Sequence, residues 1–357
     1  MKICVLGDTH FGMRGDSRVF HDLYRKFYLN VFIPYLKENG IKHVVQLGDL
    51  FDRRKYINFQ TLQSAKEYFF DPLAKEDITL HTLIGNHDIF YKNTLSVNST
   101  ELVLGEYSNI VIYSKPSTLS ADLDGEPIDV IPWLCDDNRD EIKKFISETK
   151  SRFCFGHFEL SGFEMDRGNF CHEGDNPDML SKYEMVMTGH FHHPSKMKNI
   201  VYVGSPGEMT WADYNDKRGF HVFDTKTQDL TFIQNPYTIF EKIYYSDNDF
   251  FYDDVKVFDY AKYAGKYVKL IVSSKNNTFV FETFIDNLMK AGPADLSIVE
   301  DFTEKTPEDE VEVDQADDTL TILDKYVDGI ELEFDLNKQK LKTILRDIYT
   351  EALSVTP

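Results

Sequence analysis

The sequence predicts an α/β (α+β) protein built on a two-layer β sandwich flanked by helices, with a small α+β capping domain and a C-terminal helical pair. Three observations support this prediction. Short apolar strands alternate with amphipathic helices near the N-terminus, short strands without helices follow Gly204, and the pattern changes after Asn235-Pro236. Strand–helix alternation is typical of parallel sheets covered by helices. We therefore expect a core of residues 1–235, in which the strands after Gly204 form a second sheet.

The elements of this core follow from the spacing of apolar residues. Residues 2–7 (KICVLG) form a short apolar run, which predicts a buried strand. Apolar residues recur at helical spacing from Val19 to Tyr35 and predict a helix over 18–38. By the same reasoning, strands are predicted at 43–48, 78–85, 109–113, 126–131, 152–156, 184–188, 200–204, 219–224 and 229–233, and helices at 59–74 and 136–148.

Three further segments are predicted beyond the core. Residues 236–300 carry the pattern strand, strand, helix, strand, which predicts the capping domain. Ten acidic residues and one base lie between Glu300 and Asp318, so we expect 301–318 to be a solvated acidic linker. Residues 319–357 contain two short amphipathic patterns, which predict a helical pair.

Composition limits the class of protein. No apolar run approaches the roughly 18 residues that a bilayer span requires, and Met1 leads directly into a predicted strand instead of a signal peptide. The four cysteines include no C-x-x-C pair, so we expect reduced thiols and a cytoplasmic protein. The 357 residues carry 60 acids against 39 bases, a net charge of −21. Such a chain is expected to bind nucleic acid weakly on its own.

The chemistry is concentrated in five polar motifs, each of which begins with glycine and follows a predicted strand. Ligands of open α/β sheets bind at the carboxyl ends of the strands, and glycine allows the close approach that such a site needs. The motifs are Gly7-Asp8-Thr9-His10, Gly48-Asp49-Leu50-Phe51-Asp52, Gly85-Asn86-His87-Asp88, Gly156-His157 and Gly189-His190-Phe191-His192.

Seven side chains in these motifs are candidate metal ligands: Asp8, His10, Asp49, Asn86, His157, His190 and His192. Carboxylate, imidazole and amide ligands suit divalent ions such as manganese, iron or zinc. Seven ligands are too many for one tetrahedral ion but suit two ions that share a bridging carboxylate. Each motif alone has an ordinary structural explanation, such as a turn, a helix N-cap or a buried histidine. Their ordered conjunction favours a dinuclear centre.

The ordered set DTH, GDLFD, GNHD, GH and GHFH resembles the calcineurin-like metallophosphoesterases. Within that superfamily the chain is similar to the SbcD-type DNA-repair nucleases, including the nuclease subunits of T-even phage recombination endonucleases; the stretches IPWLC, YVGSP and RGFHVFDT support this similarity. The sequence has GDLFDRR and GNHD where the Ser/Thr phosphatases of the superfamily have GDYVDRG and GNHE, which argues against a protein phosphatase.

The resemblance implies roles for individual residues. The first metal ion would be held by Asp8, His10, Asp49 and His192. The second would be held by Asp49, Asn86, His157 and His190, with Asp49 as the bridge. His87 would be the catalytic histidine, oriented by Asp88. Some relatives have histidine at the position of Asp52, which we expect to support the neighbouring ligands.

The resemblance also implies a function. The chain would be the nuclease subunit of an SbcC/SbcD-like complex in double-strand-break repair and recombination, with two Mn²⁺ or Mg²⁺ ions. It would act as a 3′-to-5′ exonuclease on duplex DNA and an endonuclease on single strands. A homodimer of the chain would bind an SbcC-like ABC-type coiled-coil ATPase through residues 319–357 and form a heterotetramer with it. The complex would lie in the cytoplasm, which is that of the host if the chain is phage-encoded. The alternative is a stand-alone small-molecule phosphodiesterase or phosphatase, which leaves 238–357 unexplained.

Basic residues are sparse but recur near the motifs. As candidate DNA contacts we take Arg14, Arg53, Arg54, Lys55 and Lys92. For any one of them, ordinary solvated surface charge is an equally good explanation. Residues 18–38 and 90–107 are candidate dimer-interface segments because both carry apolar positions that we expect to be exposed.

Overall fold

A computed structural model of the chain describes residues 1–119 and 126–300, together with Lys342 and Leu345 in a helix. The strands are β1 (Lys2–Leu6), β2 (His43–Gln46), β3 (Thr79–Leu83), β4 (Ile110–Tyr113), β5 (Ser117–Leu119), β6 (Ile128–Ile131), β7 (Phe153–His157), β8 (Glu164–Asp166), β9 (Asn169–Phe170), β10 (Met185–Gly189), β11 (Ser195–Met197), β12 (Ile200–Tyr202), β13 (Gly219–Asp224), β14 (Leu230–Gln234), β15 (Phe240–Ser246), β16 (Tyr267–Ser274) and β17 (Asp295–Glu300). The α-helices are α1 (Met13–Asp16), α2 (Arg18–Phe27), α3 (Ile33–Glu38), α4 (Phe59–Ala65), α5 (Asp71–Lys75), α6 (Ser99–Leu104), α7 (Arg139–Glu148), α8 (Tyr252–Val257) and α9 (Thr278–Lys290), with 3-10 turns at Pro177–Leu180, Trp211–Asp213 and Tyr260–Tyr263.

Two six-stranded sheets form the core. The first has the order β14-β13-β1-β2-β3-β4, and the second has the order β11-β12-β10-β7-β6-β5. Between the sheets, alternate residues of β1 such as Ile3 and Val5 pack in one buried cluster with Phe153, Phe155 and Met187 of the second sheet. On the outer faces, Leu6 and Val44 of the first sheet and Cys154 and Val186 of the second are buried in clusters with residues of the covering helices. This confirms the predicted sandwich.

One part of the prediction is wrong. The strands after Gly204 do not form the second sheet; β13 pairs antiparallel with β1, and β14 pairs with β13. The second sheet is built instead from strands between Ser117 and Tyr202. A short apolar run predicts a strand but does not indicate which strand it pairs with, so the sequence pattern did not distinguish an added edge from a new sheet.

The helices on the first sheet contain two π-helical stretches, Tyr28–Phe32 and Lys66–Phe70, within otherwise continuous helices over 18–38 and 59–75. The two stretches contact each other through Tyr28 and Tyr68, whose rings stack at 5.8 Å. Phe11 lies among these rings, 5.7 Å from Tyr68. A π-helical stretch widens the helix by one residue per turn and lets bulky rings face the core. The resulting aromatic cluster holds the chain next to His10.

Residues after 235 fold into a small parallel sheet, β15-β16-β17, with α8 and α9 on one face. Its core is apolar and includes Leu270 and Phe284, both fully buried. A buried carboxylate, Glu208, accepts hydrogen bonds from the backbone N–H groups of Ile239 (2.7 Å) and Phe240 (3.0 Å), where this module begins. The predicted linker at 301–318 and helical pair at 319–357 lie outside the described residues, apart from Lys342 and Leu345.

No helix among residues 1–119 and 126–300 combines the length and the apolar composition that crossing a membrane requires. All four cysteines are buried and free.

Candidate metal centre

The seven candidate ligands meet at one edge of the sandwich, where β1, β2, β3, β7 and β10 end. The first three strands belong to the first sheet and the last two to the second, so the site spans both sheets. Asp8, Asp49 and His157 are almost completely buried, whereas 32% of the His192 side chain is exposed. A cluster of acids and histidines at this depth requires compensating contacts.

Glycine is required at this edge because the loops touch each other. A Cβ atom on Gly85 would lie 2.2 Å from Oδ1 of Asp49, and one on Gly189 would lie 2.4 Å from Oδ1 of Asp8. Real Cβ contacts are never this short, so any other residue would displace a carboxylate. The glycine that opens these motifs therefore makes room for the ligand of a neighbouring loop.

Three candidate ligands themselves have left-handed backbone conformations. The φ angles are +43° at His10, +53° at Asp49 and +91° at His190. Non-glycine residues adopt such angles at an energetic cost, and residues of this kind cluster at functional sites. Here the unusual backbone turns each side chain inward at the end of its strand.

Asp8, His10 and His192 form a first ligand group. Their nitrogen and oxygen atoms lie within 4.8 Å of one another. Nε2 of His10 is 3.0 Å from Nε2 of His192, which in turn is 3.6 Å from Oδ2 of Asp8.

A second group contains Asp49, His157 and His190. Oδ1 of Asn86 is 2.9 Å from Nε2 of His157 and also 2.9 Å from Nδ1 of His190, so this amide joins the group. Asp49 lies between the two groups. Its Oδ2 is 3.5 Å from Nε2 of His157 and 3.7 Å from Nε2 of His10, which is the position that a bridging carboxylate would take.

The donor set of these two groups fits divalent cations. Nδ1–H of His157 donates to the backbone carbonyl of Leu47 at 2.7 Å, so Nε2 faces the oxygen atoms of Asn86 and Asp49, where a bound cation would replace its proton. Nε2 of His10 and Nε2 of His192 also face each other with room for at most one proton between them. A cation bound between such lone pairs would remove their repulsion, and a backbone carbonyl on the remote nitrogen is typical of metal-ligating histidines.

Burial and the mutual charges of these groups shift their pKa values in different directions. Burial raises the pKa of Asp8 well above its usual range, and the neighbouring Asp49 carboxylate adds to the rise. Burial would also raise the pKa of Asp49, but the charge and hydrogen bond of His157, with the charges of His87 and His10, hold it well below its usual range. Burial, followed by the charge of His157, lowers the pKa of His190 to about 3 and so keeps its imidazole neutral, as a ligand must be.

His87 lies beside the first group, with its ring 4.8 Å from the His10 ring. Its Nδ1–H donates to the backbone carbonyl of Asp52 at 2.6 Å, and its backbone N–H donates to Oδ1 of Asp49 at 2.7 Å. The side chain of His87 is therefore oriented by the carbonyl of Asp52, which leaves Nε2 available.

The expectation that Asp88 orients His87 is wrong. The Asp88 carboxylate is fully buried and accepts hydrogen bonds from the backbone N–H groups of Gly85 (2.9 Å), Leu50 (3.0 Å) and Phe51 (3.3 Å). Asp88 therefore joins the loop after β2 to the loop after β3, which is a structural role.

Sequence reasoning missed one side chain at the site, Trp133, and one contact, the hydrogen bond from His87 to the carbonyl of Asp52. Trp133 packs its ring 5.0 Å from the His190 ring and 5.8 Å from the His157 ring, so it covers the second group. Oδ1 of Asp52 lies 3.5 Å from Nδ1 of His10, in addition to the carbonyl contact described above. The IPWLC stretch signalled Trp133 only through resemblance, and a backbone carbonyl has no signal in the sequence.

The five candidate DNA contacts differ in their surroundings. Arg54 is half-buried, and its Nε–H donates to the Asn86 carbonyl at 2.7 Å, so its guanidinium supports the site loop. Arg53 lies over the Tyr56 ring at 4.9 Å. The other three, Arg14, Lys55 and Lys92, are exposed.

Comparison with known proteins agrees with this geometry. Residues 1–194, more than half of the chain, match the family described as calcineurin-like phosphoesterase. The chain therefore belongs to the calcineurin-like phosphoesterase family. It is 35% identical to "Exonuclease subunit 1" of Enterobacteria phage T4 over 353 residues, which cover 99% of each chain.

Two more distant relatives are both named as a subunit of the nuclease SbcCD. The chain is 22% identical to the protein of Staphylococcus epidermidis, with 64% of this chain and 67% of the relative covered. It is also 22% identical to the protein of Staphylococcus saprophyticus, with 65% and 67% covered.

Proposed function

We propose that the chain is the nuclease subunit of an SbcC/SbcD-like complex and hydrolyses DNA phosphodiester bonds with two divalent metal ions, preferably Mn²⁺. The observation that carries this proposal is the arrangement of two ligand groups on either side of Asp49, with His87 beside them. Full-length similarity to a phage exonuclease subunit supports DNA as the substrate.

We assign the residues as follows. The first ion would be held by Asp8, His10, Asp49 and His192, and the second by Asp49, Asn86, His157 and His190. Bound divalent ions supply Lewis-acid chemistry, namely activation of a water nucleophile and charge compensation on the phosphate. Asp49 can serve both ions because its Oδ2 faces both groups.

The protein's own contribution to the chemistry is centred on His87. Because Nδ1–H is committed to the Asp52 carbonyl, Nε2 is the atom that can hold a proton for the leaving oxygen. The backbone N–H of the same residue fixes the Asp49 carboxylate, so the proton donor and the bridging ligand keep a constant separation. No covalent enzyme intermediate is needed.

The net charge of −21 makes a partner that binds DNA a natural complement. We assign that role to an SbcC-like ABC-type ATPase that docks on 319–357, in a heterotetramer with a homodimer of this chain. The activities would be 3′-to-5′ exonuclease on duplex DNA and endonuclease on single strands. The complex would act in the cytoplasm, which is that of the host if the gene belongs to a phage.

Digestion of end-labelled linear duplex DNA with Mn²⁺, with and without the ATPase and ATP, tests the proposal. We expect slow release of mononucleotides by the chain alone and faster release when the partner and ATP are present. Metal-dependent hydrolysis of bis(p-nitrophenyl) phosphate without any cleavage of DNA would instead indicate a small-molecule phosphodiesterase.

A further inference from the structure

Two adjacent aromatic side chains are exposed three residues after His87. Phe90 is 42% exposed and Tyr91 is 52% exposed, and their rings contact each other edge to face at 4.8 Å and 77°. Exposed Lys92 follows them. Two adjacent exposed aromatic rings next to a catalytic loop form a candidate interaction surface.

The loop that carries the pair is held firmly. Phe90 N–H donates to the carbonyl of Val97 at 2.9 Å, and Ile89 forms an isolated β-bridge with Asn98. At the base of the loop, fully buried Ile89 packs with Leu95 in a small apolar cluster. The backbone that carries the two rings is therefore already ordered, so little conformational entropy would be lost when the rings bind a ligand.

The support of this loop is continuous with the metal centre. The apolar cluster beneath it includes Trp133, whose ring covers His190 at 5.0 Å. The backbone N–H of Trp133 also donates to the carbonyl of Ile84, the residue before the GNHD motif, at 2.8 Å. Phe90 and Tyr91 thus belong to the rim of the site on the side of the second ligand group.

We propose that Phe90 and Tyr91 form a stacking surface for an unpaired nucleobase beside the scissile phosphate, with Lys92 contacting the DNA backbone. This inference rests on the proposed nuclease function and specifies its substrate: a single strand or a frayed end, because a base inside an intact duplex has no free face. Stacking on aromatic rings tolerates any base, which suits an enzyme that degrades DNA of any sequence.

Stacking also suits the charge of this chain. An ionic contact to phosphate releases counterions and weakens as salt rises, whereas a base–aromatic contact releases none. A protein with a net charge of −21 gains from a contact that does not depend on positive surface. The two kinds of contact can therefore be separated by their salt dependence.

The test measures DNA binding by the full-length chain and by its double variant Phe90→Leu with Tyr91→Leu, which we call the rim variant. Ca²⁺ replaces Mn²⁺ in the buffer so that the DNA is not cleaved. We expect affinity for a single-stranded oligothymidine to fall roughly tenfold or more while the slope of log affinity against log salt is unchanged. A strand with 2-aminopurine as its terminal base should lose fluorescence on binding the wild type, because the base stacks, and keep it with the variant. Lys92→Ala should instead reduce the salt slope by about 0.7.

A matched control is available on the capping module, where Tyr252 and Phe279 form another exposed ring pair at 5.7 Å. Tyr252→Leu with Phe279→Leu should bind the oligonucleotide like the wild type. The proposal is overturned if the rim variant binds within twofold of the wild type, if the control loses as much affinity, or if sedimentation shows that the rim variant lost self-association in proportion to DNA affinity. Wild-type protein that binds the strand but never cleaves it would refute the nuclease function and leave the stacking surface standing.

Discussion

His87 and Asp49 make different contacts with the candidate centre, so substitutions of the two residues should have different effects. In His87→Asn the backbone N–H that holds Asp49 remains, and the amide can still donate to the Asp52 carbonyl. We therefore expect cleavage to be abolished while two metal ions still bind. Calorimetric titration with Mn²⁺ beside a nuclease assay would measure both, and loss of one binding site in this variant would show that His87 is a ligand.

Asp49→Asn should affect both ligand groups at once. The carboxylate faces His10 and His157, and it also accepts the His87 N–H, so a neutral amide would weaken every one of these contacts. We expect the two calorimetric binding events to weaken together by at least tenfold, with activity lost. Asp129→Asn is the matched control because that buried carboxylate accepts hydrogen bonds from the hydroxyl groups of Ser151 and Tyr183 and belongs to neither ligand group. Unchanged metal stoichiometry in Asp49→Asn would exclude the bridging role.

At the scale of single elements, β13 carries a titratable group in an apolar setting. His221 is 8% exposed, its ring lies 5.1 Å from Phe232, and its Nδ1 has no hydrogen-bond partner among the described residues. Burial lowers the pKa of His221 to about 4, from about 6.5 in the unfolded chain. Because the folded protein keeps His221 neutral, the contribution of this residue to the free energy of unfolding is present above pH 6.5 and is lost as the pH falls toward 4.

Wild-type protein should therefore lose about 2 kcal/mol more of its unfolding free energy than His221→Leu between pH 8 and pH 5. Urea unfolding at both pH values would measure this difference. His172→Leu, at an exposed position, should keep the wild-type response. Equal pH dependence in His221→Leu and wild type would show that His221 does not contribute.

Elements with a strong apolar pattern could be predicted from the sequence, and the pairing between them could not. The strands that precede Asp8, Asp49 and Asn86 could be recognised because each is a short apolar run followed by glycine. The placement of β13 beside β1 depends on contacts between residues more than 200 positions apart, which leave no local pattern. For the same reason the carbonyl of Asp52 and the ring of Trp133 could be recognised as parts of the site only in the folded structure.

At the scale of the whole molecule, we assign residues 319–357 to docking on the ATPase. One face of the last predicted helix carries Leu341, Ile344, Leu345, Ile348 and Leu353. An apolar face on an element tethered by an acidic linker needs a partner to bury it. Truncation after Asp318 should preserve hydrolysis of bis(p-nitrophenyl) phosphate with Mn²⁺ and abolish most ATPase binding, measured by co-purification and by ATP-stimulated digestion of duplex DNA. Undiminished co-purification, or a truncated chain that unfolds, would refute this assignment.

The placement of the centre across both sheets has a consequence for biosynthesis. Asp8, Asp49 and Asn86 come from the first sheet, and His157 and His190 come from the second. A nascent chain that has emerged only as far as β7 lacks His190 and His192, and β13, which completes the first sheet beside β1, is translated later still. The complete set of ligands therefore cannot assemble on the ribosome until nearly the whole sandwich has been synthesised.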